Sequence, residues 1–97
     1  MMDLLLAVAL MRPIVFVDAG ARPVYGIRIG HAEAATWTDD LLGFAGTLDV
    51  STGREVRVPL DDRDCILDVR ATFDDGTVVV LHAMDLCHTD LVKIPSP

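Results

Sequence analysis

The strongest periodic signal in the chain lies between residues 65 and 74. Cys65, Leu67, Val69, Ala71 and Phe73 are apolar, and Asp68, Arg70, Thr72 and Asp74 between them are polar. A period of two is the mark of a half-buried β-strand, because successive side chains leave the pleat on opposite faces. Asp75-Gly76 interrupts the pattern and Thr77 to Leu81 resumes it as a β-rich run, so strand, turn and strand are expected across residues 65–87. Upstream, Ile14-Val15-Phe16-Val17 and Val24-Tyr25-Gly26-Ile27-Arg28-Ile29 flank the turn residues Asp18 to Arg22, which predicts a second hairpin. Glu55-Val56-Arg57-Val58 alternates strictly and places both valines on one face, Pro59 ends that run, and Phe44 to Val50 is a weaker strand.

Between these runs, His31 to Ala35 has the composition of one helical turn. Trp37-Thr38-Asp39-Asp40-Leu41-Leu42-Gly43 mixes aromatic, acidic and aliphatic residues as a loop does when it tucks apolar side chains under a sheet. Asp61 to Asp64 is a charged connection. The rhythm of short strands and turns every eight to fifteen residues predicts an all-β chain. We expect a single small antiparallel β-sandwich or open barrel of about six to seven strands, rich in hairpins.

The first stretch is read in two ways. Residues 1–11 contain the eight-residue apolar run Leu4 to Met11, with Ala7-Val8-Ala9 as a cleavage-like tripeptide. A secretion signal would begin with a basic segment, whereas Asp3 carries the opposite charge. Residues 1–11 are therefore either the remnant of an export signal or the first strand of the fold. Residues 12–94 form the β-domain, and 95–97 are a loose tail.

Composition narrows the classes of function. With 97 residues there is room for one core. A 52% hydrophobic content fits a globular domain and excludes a disordered tail. Eight basic and fifteen acidic residues leave a net charge of −7. That balance argues against nucleic acid and against an anionic membrane surface, both of which need a basic footprint. No apolar run is long enough to span a bilayer as a helix.

The expected hairpin brings Cys65 and Cys87 near each other. If the turn has three residues, paired positions sum to 150, Cys65 faces Asp85, and Cys87 lies one diagonal step away on the same face. A two-residue turn would put the thiols on opposite faces unless a bulge restored the match. Two readings stay open: a disulfide, which implies an oxidising compartment, or two reduced, buried small hydrophobes in a cytosolic protein.

Candidate chemistry is sparse. His82, Met84, Cys87 and His88 supply soft sulfur and imidazole within seven residues, the donor types copper prefers. On a strand His82 and Met84 share one face, Cys87 points to the other and His88 depends on where the strand ends, so His82, Met84 and His88 remain only weak metal candidates. Zinc-type spacings of Cys and His are missing. The acidic clusters Asp39-Asp40, Asp61-Asp62-Asp64 and Asp74-Asp75 lack the loop pattern of an EF-hand and suit solvated turns. There is no nucleophile elbow and no glycine-rich phosphate loop. We expect no enzyme and no cofactor. The single Trp37, with Asp39, Asp40, Leu41 and Leu42, forms the expected contact loop for a protein or small ligand. The rival readings are a periplasmic copper-binding protein and a subunit that self-associates or completes a partner's sheet through an edge strand.

The ordered set Trp37-x-Asp39-Asp40-Leu41-Leu42-Gly43, Gly53, Cys65-x-x-Asp68-Val69-Arg70, Asp75-Gly76 and Asp85-Leu86-Cys87 resembles a group of small, poorly characterised bacterial exported proteins. The likeness covers residues 14–94. It implies a periplasmic or secreted β-domain with its two cysteines at Cys65 and Cys87, and it supplies no catalytic residues. A cytoplasmic location would follow if residues 1–11 are a retained strand.

Overall fold

The computed structural model describes residues 10–43 and 46–97. Residues 1–9, which carry most of the signal-or-strand reading, lie outside the described residues, as do Phe44 and Ala45 at the start of the weak strand expected at 44–50. The described residues are all-β, with seven strands in two sheets. They are β1 (Leu10–Asp18), β2 (Val24–His31), β3 (Thr36–Trp37), β4 (Gly53–Leu60), β5 (Ile66–Phe73), β6 (Val78–Asp85) and β7 (Leu91–Ile94). A 3-10 turn, Ala32–Ala34, follows β2.

One sheet has the order β4-β1-β7 and the other β3-β2-β5-β6. The β5–β6 hairpin forms as expected, with pairs summing to 150 from Thr72↔Val78 to Val69↔Leu81. Ahead of the cysteines the register slips by one, to Leu67↔Met84 and Ile66↔Asp85. Ala83, at φ 57, sits in the bulge that takes up the extra residue. The slip would turn Cys87 away from Cys65 if β6 continued. The strand ends at Asp85 instead, and the following turn brings Cys87 back.

The expected hairpin of residues 14–29 does not form. β1 and β2 lie in different sheets. Both flanks of β1 are already taken: β4 pairs antiparallel along Leu10 to Val17, and β7 pairs parallel along Val15 to Asp18. At the end of β1, Asp18 N donates to Thr52 O and Ala19 N to Ile94 O. The buried Asp18 carboxylate accepts Gly20 N through Oδ1, which shapes the turn that carries the chain to the other sheet. The parallel β1–β7 pair also departs from the wholly antiparallel expectation. The weak strand at 44–50 reduces to one bridge, Leu48↔Val24, among its described residues.

The core fills the space between the inward rows of the two sheets. Ile14, Phe16, Val56, Val58, Leu60, Val92 and Ile94 come from one sheet, and Val24, Ile27, Ile29, Leu67, Val69, Ala71 and Phe73 from the other. Each large side chain removed from water contributes about 1.5–3 kcal/mol before its ordering cost. A bulge between Val24 and Gly26 changes the parity of β2, so Val24, Ile27 and Ile29 all point inward while Tyr25 faces water. Leu42, Leu48 and Leu86 plug the core from outside the strands. Cys65 and Cys87 are joined, with Cα atoms 5.4 Å apart.

Candidate functional site

The segment after β3 runs along the open edge of β2 and closes it with side chains as well as backbone. Thr38 N donates to Ile29 O at 2.9 Å and Leu41 N to Ile27 O at 2.8 Å. The return bonds go to side chains: Ile29 N donates to Thr38 Oγ1 at 3.1 Å, and Ile27 N to Asp40 Oδ1 at 3.0 Å. Asp40 Oδ1 also accepts Leu42 N at 3.0 Å. A strand edge exposes a row of unpaired donors and acceptors. Thr38 and Asp40 act as acceptors where a neighbouring strand would offer carbonyls.

The start of this strap is fixed by Gly30. A Cβ at that position would overlap the Thr36 carbonyl, so only glycine lets β3 approach β2 there. Trp37, opposite Gly30 in register, is held half-buried at the sheet edge with the Arg70 guanidinium 5.8 Å from the indole centroid.

A cleft of about 380 Å³ opens where this edge meets the end of β4 and the start of β5. Ile29, Leu60 and Leu67 are its buried apolar lining, and Trp37 and Pro59 contribute further apolar surface. Asp61, Asp64 and His31 bring the polar groups. His31 Nε2 and Asp64 Oδ2 are 2.8 Å apart, joining the end of β2 to the β4–β5 connection. Asp61 is occupied by the backbone N–H of Arg63 at 2.9 Å and holds its carboxyl below the ordinary range for that reason first.

His31 titrates above the ordinary imidazole value, because its hydrogen bond to Asp64 favours the charged ring and outweighs desolvation. A raised folded-state value adds stability that is complete below the unfolded value and lost as pH rises through the folded one. We expect the His31 ring resonances to titrate above about 6.5, and Asp64→Asn to bring the midpoint back down. An unchanged midpoint in Asp64→Asn would show that the contact is not populated in solution.

Next to the cleft, a second hollow of about 320 Å³ is lined by His31, Glu33, Ile66, Asp68, His82 and Ala83. Among these is Asp68, whose two oxygens accept Ala32 N at 2.8 Å and Ala83 N at 3.0 Å. These backbone bonds keep the Asp68 carboxyl ionised to lower pH than an ordinary aspartate. Asp68 thus ties the 3-10 turn to the β6 bulge, and its lone pairs are largely committed.

No family model, curated protein or solved structure matches the chain.

Of the five residues expected in the contact loop, only Trp37 lines the cleft. Asp39 is exposed beside it, and the carboxylate of Asp40 serves the strap. Leu41 is partly buried against the core, and Leu42 is buried in it. The loop is an edge seal more than a continuous contact surface, since most of its polar atoms have partners within the fold. His82 and His88 are exposed, with Nδ1 atoms 3.4 Å from Asp68 and 3.0 Å from Asp85, while Met84 packs against the core. Cys87 is in the disulfide. Among the described residues no group of three or more His, Cys, Asp or Glu is arranged to hold a metal ion.

The cleft residues Ile29, His31, Leu60, Asp61, Asp64 and Leu67 were not foreseen as a site. His31 and Asp64 are 33 residues apart, and nothing in the linear pattern links them.

Proposed function

We propose that this chain is a non-enzymatic β-domain of the cell envelope, periplasmic or secreted, that binds an apolar or aromatic group of a protein or small ligand in the cleft beside Trp37. The observation that carries the reading is the cleft itself. Its volume falls in the range of small-molecule sites, and it combines a mainly apolar lining with a few converging polar groups. The Cys65–Cys87 bond supports an oxidising compartment. The likeness to small exported bacterial proteins supports the same location. No helix among the described residues is long and apolar enough to cross a membrane.

The acidic side of the cleft selects by charge. Where His31 has lost its proton and no longer neutralises Asp64, Asp61 and Asp64 favour a ligand that pairs an aromatic or aliphatic body with a cation, and disfavour the corresponding anion. Phenethylammonium is a suitable probe, with toluenesulfonate as its anionic counterpart. Trp37 is the only tryptophan, so its emission reports on this site alone. Saturable quenching by phenethylammonium is expected, with a Kd on the order of 1 mM for so small a ligand. Amide shifts should centre on Ile29, Gly30, Thr36, Thr38 and Leu67. Shifts spread over unrelated surfaces, or no saturation, would remove the cleft as the binding site.

A further inference from the structure

We propose that β6 is an interface for a second copy of this chain, the two β6 strands pairing antiparallel about Val80 so that two four-stranded sheets become one of eight. The edges of the two sheets are treated unequally. The β2 side of the larger sheet is sealed by β3 and by the strap with its Thr38 and Asp40 acceptors. In the smaller sheet, β4 carries Arg54, Glu55, Arg57 and Pro59, the charges and proline that blunt an edge. Strand β7 has four residues, one of them Lys93. By contrast, β6 is an eight-residue edge. From Gly76 to Met84 it has no Asp, Glu, Lys or Arg, in a chain that is 24% charged.

The inward row of β6 is also incomplete. Val79, Leu81 and Met84 face the core yet remain only partly buried, whereas Val69, Ala71 and Phe73 on neighbouring β5 are buried. Another strand alongside would cover them. The bulge at Ala83 limits the regular edge to Val78–His82, and that limit selects the occupant. When this segment is paired antiparallel with itself about Val80, Val79 faces the second copy's Leu81 and Leu81 faces its Val79 on the core side. On the outer face Val80 meets Val80, and Val78 meets His82. All five positions then find partners of matching face and no like charges meet, although each chain carries −7 overall.

The test is sedimentation equilibrium on the full chain with its disulfide intact, over roughly 5–500 µM. The expected mass rises towards twice 10.5 kDa with concentration. Val80→Lys and Val80→Glu each place like charges opposite one another and should raise the dissociation constant about fivefold or more. An equimolar mixture of the two variants should recover the dimer, because Lys then faces Glu. Thermal unfolding of each variant checks that it is folded. As a second measurement on the unaltered chain, amide exchange at Val78–His82 should slow as concentration rises. A monomer throughout the range would overturn the proposal, as would a dimer that neither substitution weakens. A mixture that stays monomeric would overturn the pairing about Val80.

Discussion

Replacing both Cys65 and Cys87 with alanine is expected to reduce the free energy of unfolding by about 3 kcal/mol, and Tm by on the order of 12–24 °C. The bond closes a loop of 22 residues in sequence separation, so most of its effect comes from restricting the unfolded chain. A native contribution comes from Leu86, which lies between the hairpin and β7. Its side chain is fully buried, and its N–H donates to Cys65 O at 2.9 Å. The Cys65–Cys87 bond holds that turn in place, and with it the connection into β7. Both chemical denaturation of the double variant and heating of the unaltered chain with reductant measure the effect. A loss below about 1 kcal/mol would mean that the bridge does little to restrict the unfolded chain.

Asp40→Ala is expected to cost about 2–4 kcal/mol, because it removes the acceptor for two backbone donors, Ile27 N and Leu42 N, in a partly buried place. Asp40→Asn keeps an acceptor oxygen in the same position and should cost under about 1 kcal/mol. The contrast separates hydrogen bonding from charge. The strap also positions Trp37, so Asp40→Ala should shift the native emission maximum and weaken phenethylammonium binding before the fold is lost. Equal losses for the two variants would refute the view that the oxygen acts as a substitute strand partner.

Much of this organisation follows from the linear pattern. The alternation at Leu67, Val69, Ala71 and Phe73 places all four in the core, and Val56 and Val58 face inward from β4. The hairpin about Asp74-Asp75-Gly76 has the register that a three-residue turn requires up to Leu81. The 3-10 turn falls within the segment whose composition suggested a helical turn. Strand β7 was legible too: Leu91-Val92-Lys93-Ile94 alternates, with Val92 and Ile94 buried. Its brevity, and the proline after it, kept it from standing out.

The site was far less legible. The acids after Trp37 suggested a solvent-facing contact loop, but Asp40 accepts backbone N–H groups and Leu42 sits in the core. An Asp that caps a turn and an Asp that receives a ligand look the same in one dimension. What distinguishes them is the presence of unpaired donors on the neighbouring strand.

The sequence by itself determined the strands at β1, β2, β4, β5 and β6, because a residue's place inside or outside a pleated sheet depends on local alternation and on turn residues such as Gly76. It also brought the two cysteines to the same end of one hairpin. Only the tertiary structure decided that β1 and β2 part into separate sheets, that β7 runs parallel to β1, and that His31 meets Asp64. Those outcomes depend on which pairing buries most of both inward rows and closes both flanks of β1 and the outer flank of β2 at once. That competition is settled among residues tens of positions apart.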